Sequence, residues 1–93
     1  MELSIEWKNK LLNEKIAVRF TRDEDVNELL KAINYKKRPN WHEQGILMRF
    51  DKGDWSYQMK NNEIGNSFYK NEGYTIINFE EILTKTEEFN IWN

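Results

Sequence analysis

The sequence predicts an α+β domain: a two-layer arrangement in which an antiparallel-rich sheet of about four strands packs on one main helix, with an extra N-terminal helix. Three observations predict it. Val26, Leu29, Leu30 and Ile33 recur at i, i+3, i+4 and i+7, the one-sided apolar stripe of a helix lying on a core. Trp55, Tyr57 and Met59 alternate with Ser56, Gln58 and Lys60, the period of a strand with one buried and one wet face. Between that run and Ile46–Phe50 stands Asp51-Lys52-Gly53-Asp54, a hairpin loop in which Gly53 is free to take a positive φ.

The elements follow in order. Leu3, Trp7 and Leu11 are spaced at i, i+4 and i+8 with Ser4 placed to cap, so a helix is predicted over about residues 4–13, ended by Asn13 and Glu14. At Lys15–Phe20 the period changes to two, with Ile16, Val18 and Phe20 on one face of a strand. Thr21-Arg22-Asp23-Glu24 has the form of a capping box, and the acidic run Asp23–Asp25 suits a helix start. The main helix is therefore predicted from Arg22 to about Tyr35, with Pro39 preventing its continuation. The strands at Ile46–Phe50 and Trp55–Lys60 come next; if the Trp55, Tyr57 and Met59 face points toward the main helix, the opposite face still presents apolar atoms, to be covered by the N-terminal helix or by a second subunit. Asn61-Asn62-Glu63 reads as a polar link, and a weaker segment around Phe68 and Tyr69 is expected to pair briefly with the sheet. Gly73 introduces Tyr74–Phe79, the most β-prone run of the chain, and Glu80–Leu83 a single helical turn. The predicted order is helix, strand, helix, then three strands. In the tail from Thr84 to Asn93, Phe89 and Trp92 either fold back over a core edge or dock on a neighbouring molecule.

Composition limits the function. Ninety-three residues make one domain, 1–93, and no apolar run approaches the ~20 residues that would cross a bilayer. A mean hydropathy of -0.90 and a start without basic and apolar blocks lead to an expected cytoplasmic location. The absence of cysteine excludes disulfides and thiolate chemistry. A net charge of -2 supplies no general attraction to nucleic acid. The single histidine, His42, precludes a bis-histidine metal site within one chain. None of Ser4, Ser56 and Ser67 stands in a Gly-x-Ser-x-Gly elbow, and Gly45, Gly53, Gly65 and Gly73 are too scattered for a phosphate loop. Asp51 and Asp54 flank a short loop and could meet across it, but its composition is that of an ordinary turn. Neither an enzyme nor a cofactor is expected.

Binding residues are easier to nominate. Lys36, Lys37 and Arg38 cluster after the main helix, with Trp41 and His42 close behind, so cations and an aromatic ring stand side by side. The 14% aromatic content is high for so short a chain, and some rings should stay partly exposed as contact surface. Tyr69 is a further candidate.

Lys15–Thr21, the acidic helix start Asp23–Asp25, and Gly73–Leu83 together resemble small α+β proteins encoded by phages and prophages of low-GC bacteria. The bias toward Asn, Lys, Ile and Glu, with alanine only at Ala17 and Ala32, fits AT-rich codons. The resemblance spans roughly Lys15 to Leu83 and implies a context: proteins of this kind often inhibit bacterial defence systems, as anti-CRISPR proteins do. The expected function is thus a non-enzymatic inhibitor that blocks a host antiviral defence protein in the bacterial cytoplasm, alone or as a homo-oligomer. Lys36, Lys37, Arg38, Trp41, His42 and Tyr69 are the expected contacts. The alternatives are an oligomeric sponge for a nucleotide second messenger, with Trp41 or Tyr69 stacking a base and Arg38 holding phosphate, and a single-stranded nucleic-acid binder.

Overall fold

The computed structural model describes residues 3–34, 43–51 and 57–83. Helix α1 (Ile5–Asn13) starts where its cap predicts: the Ser4 hydroxyl accepts from the Trp7 amide at 3.2 Å, and Leu11 is buried. Strand β1 (Ile16–Phe20) follows, buried on both faces except at Arg19.

Helix α2 (Asp23–Ala32) differs from expectation at both ends. The capping box does not form. Arg22 occupies the cap position in an extended conformation with no side-chain capping bond, one residue later than Thr21. Its guanidinium instead holds Asp25 at 3.2 Å and Glu24 at 3.6 Å. That start sets Val26, Leu29 and Leu30 into the core, and packing decides the register over the local signal. The helix stops at Ala32 because Asn34 turns left-handed at φ 56°, a conformation asparagine tolerates better than most residues. Tyr35 and Pro39 lie outside the described residues.

Strands β2 (Ile46–Arg49) and β3 (Gln58–Lys60) pair antiparallel, as the alternation predicts. Gly45 opens β2 at φ 83°, and a Cβ there would stand 2.6 Å from the Phe20 carbonyl oxygen. Trp55, Ser56 and the loop residues Lys52, Gly53 and Asp54 fall outside the described residues.

The main correction concerns the next segment. Phe68 and Tyr69 belong to no strand but to helix α3 (Glu63–Asn71). Asn62 caps it, accepting from the Gly65 amide at 3.0 Å. A helix accommodates Gly65 and Tyr69 at i, i+4 against the sheet, a spacing that a two-residue period would scatter. Gly73, at φ 83°, then ends the turn before β4 (Thr75–Asn78). Residues 79–83 are helical, one residue earlier than predicted, and the Glu81 carboxylate reaches back to accept from the Asn78 amide at 2.6 Å. The tail with Phe89 and Trp92 lies outside the described residues.

The sheet is mixed, in the order β3-β2-β1-β4, with β1 and β4 parallel and the other two pairings antiparallel. The chain therefore runs from one edge strand, β3, to the other, β4, and α3 is the crossover between them. This crossover covers the sheet face that a two-layer arrangement would leave bare, so helices pack on both faces. On one face, α1, α2 and residues 79–83 bury Leu11, Val26, Leu29, Phe79 and Ile82 against Val18, Phe20, Ile46 and Met48. On the other, Tyr69 of α3 packs with Ala17, Leu47 and Tyr74, flanked by Met59, Phe68 and Ile76. Met59 and Tyr57 thus face α3.

Candidate functional site

The α3 face of the sheet gathers the polar chemistry of the described residues. Alternation along β1 and β2 sends Ala17, Arg19, Leu47 and Arg49 to that side, so two arginines stand at opposite corners of a small apolar centre.

At one corner the Arg49 guanidinium lies 5.2 Å from the Tyr57 ring centroid and 5.7 Å from that of Tyr74. Lys15 Nζ lies 5.8 Å from the Tyr74 centroid, and Tyr57 stacks on Phe68 at 5.1 Å. The result is a ladder of alternating cations and rings, with Lys15, Tyr74, Arg49, Tyr57 and Phe68 as its rungs. Hydrogen bonds lock it. Arg49 Nη1 donates to the Tyr74 hydroxyl at 3.2 Å, and that hydroxyl donates to the Asp51 carboxylate at 2.8 Å. Burial raises the Tyr74 phenol above its ordinary pKa of 10.0, and the bond to Asp51 adds to the rise. Arg49 Nε is buried without a hydrogen-bond partner among the described residues.

At the other corner Arg19 donates from Nη2 to Asn66 Oδ1 at 2.8 Å and from Nη1 to Asn78 Oδ1 at 3.2 Å. One guanidinium therefore ties α3 to the end of β4 through two amide oxygens. Its charge meets dipoles here, with no carboxylate partner among the described residues.

Tyr69 lies between the two corners at 0% exposure, and its hydroxyl donates to the Tyr57 carbonyl. Burial pushes its phenol far above the ordinary range. In this structure the ring is enclosed within the α3 side of the core, packed with Ala17, Leu47 and Tyr74. Lys36, Lys37, Arg38, Trp41 and His42 lie outside the described residues. Asp51, weighed as half of a carboxylate pair, is engaged by Tyr74, and Asp54 lies outside the described residues.

Sequence reasoning missed the outer face of α3. There Glu63, Ile64, Ser67, Phe68 and Asn71 line a shallow hollow of about 510 Å³, and Ile64 is 72% exposed. The signal was present: Asn62 as cap, with Ile64 and Phe68 four residues apart behind it. Gly65 and Asn66, residues typical of turns, masked it.

Among the described residues no three side chains of His, Cys, Asp or Glu gather as metal ligands, and no helix is long and apolar enough to cross a membrane. Comparison with protein-family models, with curated proteins and with solved structures finds no match.

Proposed function

We propose that this chain is a phage-derived, non-enzymatic inhibitor that binds a host antiviral defence protein and blocks it sterically. Support comes from how four charged side chains around the sheet are occupied. Arg19 ties α3 to β4, Arg49 is held among Tyr57 and Tyr74, Asp51 accepts from Tyr74, and Glu81 caps Asn78. Each is committed to holding the fold, as suits a scaffold that acts by presenting a surface. The contact run on this reading is Lys36-Lys37-Arg38 with Trp41 and His42, whose sequence sets three cations near an aromatic residue, the residue types of contact hot spots. The resemblance to small phage and prophage proteins supplies the context of defence inhibition.

The test is expression of the chain in bacteria that carry a panel of antiviral defence systems. Phage plating on one such strain should recover in the presence of the chain. The combined variant K36E/K37E/R38E/W41A should lose that effect while keeping its far-ultraviolet circular dichroism. With the purified target, inhibition should saturate at molar equivalence, as blocking requires and turnover does not. Unchanged plating across the whole panel would overturn the proposal.

A further inference from the structure

Two of the three exposed large hydrophobic side chains among the described residues, Tyr57 and Ile64, adjoin Phe68 on the outer side of α3. Ile64, Ser67, Phe68 and Asn71 form a stripe along the helix, in which Ile64, Ser67 and Asn71 are exposed and Phe68 is half-buried with its ring on Tyr57. Glu63 and Lys70 are both exposed and stand seven residues apart, so they flank the stripe along one edge, one near each end. Neither side chain forms an ion pair among the described residues.

From this pattern we propose that α3 pairs with α3 of a second copy of the chain, antiparallel about a two-fold axis near Ser67. A two-fold contact demands a surface complementary to itself, and this charge order meets the demand. In an antiparallel pair, Glu63 faces Lys70 of the second copy and Lys70 faces its Glu63. A parallel two-fold pair would put each charge and its counterpart on opposite edges of the seam and would lose this pairing. Ser67, small and central, lets the helices approach closely, while Ile64 and Phe68 of each copy cover one another. Acid in the first turn and base in the last turn also suit the helix dipole, so the same two side chains serve the monomer and the pair. A nine-residue helix offers a small patch, so the association is weak and reversible.

Sedimentation velocity and light scattering over a concentration series reaching the millimolar range test it. The average mass should climb from 11.4 kDa toward twice that value. Ile64→Asp should remain at 11.4 kDa throughout with unchanged circular dichroism, since Ile64 contributes little to the monomer core. Glu63→Lys should weaken association on the order of tenfold, because it turns two attractive pairs into two repulsive ones. Adding Lys70→Glu to Glu63→Lys should restore the wild-type association. A chain that stays monomeric at every concentration overturns the proposal. So does a dimer indifferent to Ile64→Asp and Glu63→Lys, or a double reversal no tighter than the single one.

Discussion

The two faces of the sheet hold their helices by different physics. Beneath α1, α2 and residues 79–83 the contacts are aliphatic and phenylalanyl: fourteen buried apolar residues form one cluster among the described residues. Beneath α3, among the described residues, only Ala17, Leu47, Tyr69 and Tyr74 are buried together. The rest of that face is directional, made of the Arg19 amide fork, the Arg49 ladder and the Tyr69 bond to the Tyr57 carbonyl. A fully buried Leu, Ile, Val, Met or Phe contributes ~1.5–3 kcal/mol, so the first face dominates the stability of the domain. A typical hydrogen bond adds only ~1 kcal/mol net, but it fixes an orientation that apolar contact leaves free. The first face makes the domain stable; the second sets where α3 sits and what it presents outward.

The sharpest way to break this contrast is to strike each face at its centre. Phe20 is wholly buried and packs on Phe79 at 5.6 Å between ring centroids. Phe20→Ala should cost about 3–5 kcal/mol in urea unfolding and loosen every element together. Gly65→Ala attacks the other face, since its Cβ would stand 2.1 Å from the Lys60 carbonyl oxygen and 3.2 Å from Leu47. Alanine favours the helix itself, but a backbone clash cannot be relieved by a rotamer, so α3 must lift. A loss of about 1–3 kcal/mol is expected. Hydrogen exchange should show it as faster exchange in α3 with α2 still protected. Uniform loss of protection would mean that the two faces are one cooperative unit and the contrast is false.

Alkali should separate the faces without mutation. Tyr57, Tyr69 and Tyr74 all lie on the α3 side, and burial raises the phenols of Tyr69 and Tyr74. A group whose folded pKa lies above its unfolded value stabilises fully below the unfolded value, here 10.0 for tyrosine. That contribution is lost as pH climbs through the folded values. Stability should therefore be flat with respect to these groups below about pH 10 and fall above it, with the α3 signals in an NMR spectrum leaving first. Tyr69→Phe should cost about 1 kcal/mol at neutral pH by removing the bond to the Tyr57 carbonyl, and should make the alkaline fall shallower. An unchanged alkaline slope in that variant would remove Tyr69 from this account.

Legibility followed the same divide. The apolar face was readable because its signal is periodic: Ile16, Val18 and Phe20 at period two, Val26 to Ile33 at period 3.6, and both elements form there, α2 shorter at both ends than read. The α3 face was not, for three reasons. Gly65 and Asn66 carry turn propensity, yet a glycine is what the close approach to Lys60 requires. A helix held by few apolar residues has a weak stripe. And the parallel pairing of β4 with β1, which makes α3 a crossover, is long-range and invisible to any local window. The candidate site was legible only in part, since Tyr69 could be named from sequence but its burial could not.

The smallest expected effect is the most specific. Both α2 and α3 begin after a strand, and each has a polar residue placed to cap it. Thr21 carries the better sequence signal and makes no cap, whereas Asn62 accepts from the Gly65 amide. A helix anchored by Val26, Leu29 and Leu30 starts where its packing requires, and a favourable cap one residue off cannot shift it. A helix with little to bury depends on its ends, so its cap must be in register. Thr21→Ala should thus be nearly silent, within about 0.5 kcal/mol as for an ordinary surface change. Asn62→Ala should cost about 1 kcal/mol and raise exchange in the first turn of α3. Ser4→Ala calibrates the scale, since Ser4 caps α1 with a measurable bond at 3.2 Å. If Thr21→Ala costs as much as Ser4→Ala, the box forms in solution and packing does not override the local signal on the apolar face. If Asn62→Ala is silent, α3 is held by more than its directional contacts, and the division between the two faces is one of composition alone.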